Sequence, residues 1–217
     1  MSLEILQFFS REDWLKGRDG IKGIGGSDAA AACGVSRRKS RTQLWNEKTG
    51  RAKPKDLSGV DYVQMGVKTE GPMRDLFDAL HPELEVRHYP FDIYRQKERP
   101  WLFATLDGEL TDLVTGDMGV LEIKKVDLTG RDSWQEWNGR VSDEYFFQVM
   151  HQLAATGYAF SYLWAMLRHR DGDITLREYY FPREEHEEDI ATLIQIESRF
   201  MDFLESGRVP PVPMAIP

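Results

Sequence analysis

The spacing of apolar and polar positions changes several times along the chain, and the changes divide it into helical and strand-forming stretches. Residues 8–19 read as a loop with a short helix, followed by "KGIGGSDAAAACGVS", a glycine-rich turn running into an alanine helix. Ser27 or Asp28 can cap that helix, because either side chain accepts from free N–H groups of the first turn. "TQLWNEKTG" (42–50) reads as a second helix stopped by Gly50. "RAKPKDLSG" (51–59) carries breakers and charge and reads as a surface loop. From 60 to 80, Val63, Val67, Met73, Leu76, Phe77 and Leu80 fall on or near one helical face. Gly71-Pro72 predicts one bent or restarted helix there, since proline is accepted early in a helix.

Then the period shortens. "LEVRHYPFDIYR" (84–95), "LFATLDGEL" (102–110), "GVLEIKKV" (119–126), "SYLWAMLRH" (161–169) and "ITLREYYF" (174–181) read as strands, with Gly116, Gly119 and "RDGD" (170–173) supplying turns. Helices are predicted over about 143–156 and 184–206, and "RVPPVP" (208–213) as an extended tail that orders against a neighbouring subunit. Helix, three-strand meander, helix, two strands, helix is the order of a mixed-sheet α/β domain.

Composition narrows the class. Hydrophobic residues at 41% and aromatics at 12% over 217 residues support a real core. No uninterrupted apolar run reaches the ~20 residues of a membrane helix, and the N-terminal stretch lacks the basic-then-apolar order of a secretory signal. One cysteine, Cys33, excludes an internal disulfide and a cysteine-rich metal site, so a cytosolic, reducing compartment is expected. The net charge of −8 argues against a nucleic-acid partner until its distribution is read. Between Arg11 and Lys55 stand twelve Lys/Arg against five Asp/Glu, while the remainder is strongly acidic, notably "REEHEEDI" at 183–190. A basic arm on an acidic body fits a polyanion bound at one surface, although solvated lysines would give the same count.

The chemistry starts at "GVLEIKKV". Alternate strand residues share a face, so Glu122 and Lys124 point one way and Ile123 the other. Burying either charge alone would cost several kcal/mol, so each needs a partner or a bound ion. A pairing of the two on a solvated face is one answer. A hard divalent cation is the other, and "TLDGEL" supplies a second carboxylate, Asp107, at the end of a neighbouring strand. A lysine beside such an ion would polarise an attacking water or neutralise a phosphate. Glu70, on the helix before the sheet, offers a third oxygen. Tyr145, Gln148 and Gln152 share one face of the helix at 143–156, at spacings of three and four. The glycines of "GIGGSD" let backbone approach a ligand, and Ser27 at a helix start adds a hydroxyl beside free N–H groups, an anion site.

Six stretches in order, "GIGGSDAAAACGVS", "LWNEKTG", "MGVKTEGPMRDLF", "ATLDGEL", "VLEIKK" and "FQVMHQLAATG", resemble the lambda-type phage exonucleases, also called YqaJ-like viral recombinases. The resemblance runs from about Trp14 to Gly157 and implies a PD-(D/E)xK, restriction-endonuclease-like core: a central mixed sheet flanked by helices. It implies one domain over 1–217, with a helical phosphate-pocket segment at about 8–55, a nuclease core at about 60–206 and an extended tail at 207–217. It implies Mg2+-dependent 5′→3′ digestion of one strand of linear double-stranded DNA to mononucleotides, with two ions and with Mn2+ able to substitute. It further implies a ring-shaped homotrimer, a single-strand annealing partner in recombination, no membrane association, and a phage or prophage origin in the bacterial cytosol.

At the level of residues, the resemblance makes Asp107 and Glu122 the principal metal ligands, beside the main-chain carbonyl of Ile123. It gives Glu70 a second metal, directly or through water. Lys124 would meet the attacking water and the scissile phosphate, and Gln148 would position that water. Ser27 and Arg18 would receive the 5′-phosphate, with Lys22 a competitor because Arg18 lies nine residues before Ser27 rather than about seven. Arg37, Arg38, Lys39 and Arg41 are expected to hold backbone phosphates without reading bases. His151 reads as a satisfied core histidine and Lys125 as a structural pairing residue. Two other readings share this core: a sequence-specific endonuclease, and a non-catalytic DNA-binding accessory protein.

Overall fold

In the computed structural model, residues 2–56, 59–128 and 134–212 are described. Strand β1 (Leu3–Gln7) precedes α1 (Arg11–Gly20), the two-residue β2 (Ile24–Gly25), a 3-10 turn at Gly26–Asp28, α2 (Ala29–Cys33), α3 (Arg41–Lys48) and α4 (Asp61–Leu80). Five strands follow: β3 (Leu84–Arg87), β4 (Asp92–Gln96), β5 (Arg99–Ala104), β6 (Gly108–Asp112) and β7 (Met118–Asp127). The chain then runs through α5 (Asp143–Thr156), β8 (Phe160–Arg168), β9 (Ile174–Pro182) and α6 (Glu187–Ser206).

The strands form two sheets, β1-β4-β5-β2 and β3-β6-β7-β8-β9. Both are mixed, because β2 runs parallel to β5 and β8 parallel to β7, while the other neighbours are antiparallel. The α/β class expected from the sequence is present, with a division that alternation alone did not show. The predicted strand 84–95 breaks at residues 88–91, where Pro90 removes a ladder donor, and its halves join different sheets. The predicted strand 102–110 breaks at residues 105–107 in the same way. Asp107 therefore sits on the seam where the chain leaves one sheet for the other.

Strand β7 is covered on both faces, which is why it reads as an apolar run. Its odd positions Leu121 and Ile123 pack with Met73 and Phe77 of α4. Val120, on the opposite face, packs with Val149, Met150 and Leu153 of α5, together with Tyr94 and Leu102 from the other sheet. Glu122 and Lys124 follow Val120 on that face. A third cluster, Ile24, Leu44, Trp45, Phe200 and Met201, fixes α2 and α3 against α6, and Trp45 Nε1 donates to the Phe203 carbonyl at 3.1 Å.

Helix α4 runs unbroken through Gly71-Pro72, so the restart does not occur. The Glu70–Arg74 pair at 3.0 Å spans the proline, and Met73 and Phe77 anchor the following turns in the core. The strand β1 was not foreseen; as an edge strand it shows only weak alternation. Residues 207–212 of the tail carry no regular structure, and the rest of the tail lies outside the described residues. Among the described residues no helix is long and apolar enough to cross a membrane.

Gly119 is the tightest point of the β7–β8 ladder, since a Cβ there would stand 2.2 Å from the ring of Phe160. Gly119→Ala is expected to cost about 1–3 kcal/mol through overpacking, read as a lower urea midpoint at unchanged m-value. An unchanged midpoint would mean that the Phe160 ring yields freely.

Candidate active site

The seam between the sheets brings two carboxylates together. Pairing of β6 with β7 ends at Gly108 with Leu121, which leaves Asp107 opposite Glu122, one step beyond the last registered pair. Asp107 Oδ2 accepts from the Ile123 N–H at 2.8 Å. A strand residue directs its N–H and C=O toward the same neighbour, so the Ile123 carbonyl also faces the Asp107 side, where no further β6 residue uses it. Arg74 Nε donates to the Asp107 carbonyl at 2.6 Å while its Nη2 holds Glu70 Oε1 at 3.0 Å. The i, i+4 spacing of Glu70 and Arg74 was the available sign of this clamp, which the sequence analysis did not identify.

Glu122 is only 2% exposed. Lys124 Nζ bonds its Oε1, Gln148 Nε2 donates to the same oxygen at 2.5 Å, and Gln152 Nε2 donates to Oε2 at 2.5 Å. Glu122 and Lys124 do pair, but not on a solvated face: Glu122 is buried, Lys124 is half-buried, and two amides from α5 complete the arrangement. Gln152 belongs to the site as much as Gln148, and its position four residues later on the same helical face was its sign. The Lys124 ammonium lies 5.4 Å from the ring centroid of Tyr145.

The electrostatics follow from burial and proximity. Desolvation, then the charges of Glu122 and Glu70, push the Asp107 carboxyl well above its ordinary pKa, against the pull of Lys124. Desolvation also raises Glu70, with Arg74 opposing and Glu122 reinforcing. Burial pushes Lys124 down, but Glu122 and Asp107 outweigh it and leave the ammonium above its usual value. Three acids thus share two cations, Lys124 and Arg74, and a divalent ion would relieve the imbalance.

The donor set fits such an ion: hard carboxylate oxygens with a free main-chain carbonyl beside them. Among the described residues no three His, Cys, Asp or Glu side chains converge on one point. The groups that could hold such an ion are therefore Asp107, Glu122 and the Ile123 carbonyl, while Glu70 pairs with Arg74.

A cavity of about 920 Å³ opens among α1, α3 and α6, lined among others by Arg18, Lys22, Lys39 and Lys48, with Asp28, Glu47 and Phe103, and none of the carboxylates of this centre lines it. The structure brings Arg18 and Lys22 to one wall, while exposed Ser27 does not line it. Ser27 sits instead between Asp28 and Gly26, where an added Cβ would come into van der Waals contact with Gln148, Gln152 and His151. Much of the basic arm is neutralised locally. Lys48 bonds Asp28 at 2.8 Å, Lys39 bonds Glu47 at 2.6 Å, and Arg41 Nε donates to the Ala32 carbonyl at 2.7 Å, holding the end of α2. One nitrogen of Arg41 is thereby committed to the fold. Arg37 and Arg38 pair with Glu136 and Glu144 but keep 81% and 70% of their side chains exposed. Lys125 pairs with Asp127, as a structural role requires.

A sequence model of the YqaJ-like viral recombinase domain matches residues 13–159, well over half of the chain. A Bacillus subtilis (strain 168) protein carrying the name "Uncharacterized protein YqaJ" is 29% identical over 153 residues, 68% of this chain and 43% of that protein. The chain thus spans less than half the length of the curated relative it matches. Among solved structures, an alkaline exonuclease (LHK-Exo) from Laribacter hongkongensis is similar at a TM-score of 0.63 and 18% identity, over 91% of this chain and 94% of that one. The same exonuclease in complex with dAMP gives a TM-score of 0.58 at 18% identity. The structural likeness is one of fold, and the sequence match is one of family: the chain belongs to the YqaJ-like viral recombinases.

Proposed function

We propose that the chain is a Mg2+-dependent deoxyribonuclease that digests one strand of linear double-stranded DNA from the 5′ end to mononucleotides, leaving 3′ single strands for recombination by annealing. The observation that carries this reading is the buried Glu122, held through both oxygens beside Lys124 and opposite Asp107 at the sheet seam. Its membership of a viral recombinase family and its fold likeness to an alkaline exonuclease support it. A homotrimeric ring and a single-strand annealing partner complete the proposal and rest on the resemblance alone.

In this reading Asp107, Glu122 and the Ile123 carbonyl would hold the metal, and Glu70 would serve a second ion, directly or through water. When bound, Mg2+, or Mn2+ in its place, supplies Lewis acidity to the phosphate and makes a water nucleophilic near neutral pH. Lys124 stays charged and offsets the negative charge that grows on the phosphate. Gln148 leaves Glu122 to orient the water, while Gln152 keeps the carboxylate in place. Arg18 and Lys22, which line the cavity, receive the 5′-phosphate, and Ser27, outside that lining, keeps its part in the pocket on the resemblance alone.

Digestion of linear duplex should therefore require Mg2+, favour a 5′-phosphorylated end and leave closed circular DNA intact, read from end-labelled substrates on gels. Lys124→Ala is expected to lower kcat by about 10²–10³ and Asp107→Ala by at least as much. Cleavage of closed circles would favour the endonuclease reading, and full activity in Asp107→Ala would overturn the site.

Stability offers a second check. A carboxyl raised in the folded state supports the fold while protonated and loses that support as pH rises through its folded pKa. At pH 7 and without divalent ions, Asp107 thus weakens the fold. Asp107→Asn, which still accepts from Ile123, is expected to raise Tm by ~2–4 °C, corresponding to roughly 1 kcal/mol. Mg2+ should then stabilise the parent more than the variant in a thermal melt; a lower Tm for the variant would contradict the electrostatic account.

A further inference from the structure

Glu197 stands in the buried stripe of α6 between Leu193 and Phe200, a charged residue where the helix pattern calls for an apolar one. It is wholly inaccessible to solvent, and so is its partner His151 on α5. Glu197 Oε1 lies 2.8 Å from His151 Nδ1, and His151 Nε2 lies 2.9 Å from the Phe103 carbonyl. A carbonyl only accepts, so Nε2 carries a hydrogen and donates to Phe103, while Nδ1 shares a hydrogen bond with Glu197. Burial pushes the imidazole pKa down, yet Glu197, the Phe103 carbonyl and Asp28 hold it above the ordinary histidine value.

An apolar pair of the same size would commonly be as stable as such a buried ion pair, so stability does not account for it. What it connects does. Phe103 lies in β5, four residues before Asp107. On α5, His151 adjoins Gln152 and lies three residues after Gln148, the two amides that bond Glu122. Gly26 faces all three side chains, since a Cβ added there would meet Gln148, Gln152 and His151 at 3.5–3.9 Å. The pair thus ties the glutamine face of α5 to the strand that delivers the other carboxylate.

We infer that His151 and Glu197 form a positioning clasp, in which the His151 Nε2–H bond to Phe103 sets where Gln148 and Gln152 stand relative to Asp107 and Glu122. Neither residue touches substrate. The consequence for turnover rests on the proposed nuclease activity, whereas the geometric claim does not.

Three substitutions separate the bonds. His151→Gln places an amide N–H near the lost Nε2 and keeps the tether to Phe103. His151→Asn keeps a donor for Glu197 and drops the tether. Glu197→Leu retains an apolar fill of similar size, removes the partner of Nδ1, and leaves the ring held at its Phe103 end alone. In 15N-labelled protein, the side-chain amide signals of Gln148 and Gln152 are expected to stay displaced from the free-glutamine position in the parent and in His151→Gln. They should collapse toward it in His151→Asn and Glu197→Leu. On linear duplex with Mg2+, those two variants are expected to lose ~10–100-fold in kcat with KM for DNA nearly unchanged. In a Gln148→Ala, Gln152→Ala background His151→Asn should cost less than about threefold more, because the groups it positions are gone.

Amide signals unmoved in both His151→Asn and Glu197→Leu overturn the clasp, as does an equal loss of turnover in the parent and the double-alanine background. A parent protein that does not digest DNA would instead strike down the nuclease reading and leave the amide signals to decide the clasp.

Discussion

Two carboxylates held side by side where water is scarce repel each other, and neither can be neutralised by the other. That constraint shapes the centre of this protein. Asp107 is fixed by the Ile123 amide and by Arg74 on its own carbonyl, and Glu122 by a lysine and two glutamines. The Asp107 carboxyl nevertheless remains well above its ordinary pKa. Such a site is tolerated because five surrounding segments, from α4, the β5–β6 seam, β7, α5 and α6, are anchored in apolar clusters that do not depend on it. A divalent ion would turn the repulsion into ligation, which is the physical reason for reading the site as a metal-dependent one.

The sheet division explains how the two acids meet. A carboxylate within a continuous ladder would face one side of a sheet beside its ladder partners. Placing Asp107 at the point where the chain crosses from the four-stranded to the five-stranded sheet frees its flanking backbone from pairing. The neighbouring middle of β7, at Ile123, is left with an amide for the carboxylate and a carbonyl for a ligand. The cavity lined by Arg18, Lys22, Lys39 and Lys48 opens from the α1–α3 segment toward Phe103, the residue that the His151 ring also grips.

Helix periods, the strand positions and the Asp107/Glu122/Lys124 grouping were legible in the chain because each is a local pattern. The split of 84–95 and 102–110 between sheets was not, since period-two alternation runs through a crossover and says nothing of the partner strand; Pro90 was the one local sign. The basic arm read as free charge because the acids that answer it, Asp28, Glu47, Glu136 and Glu144, are partly remote in sequence. Arg74 was hidden for another reason, since an arginine four residues after a glutamate is common on any helix surface. Glu197 could have been found, as an acid inside an apolar stripe, but its partner lies 46 residues away.

The most direct measurement is a crystal structure of the protein grown with Mn2+, located by its anomalous scattering. The account requires a manganese peak about 2.1 Å from oxygens of Asp107 and Glu122, with the Ile123 carbonyl also turned to it. An empty cleft at saturating Mn2+, or an ion bound elsewhere while Lys124 and both glutamines stay on Glu122, would contradict it.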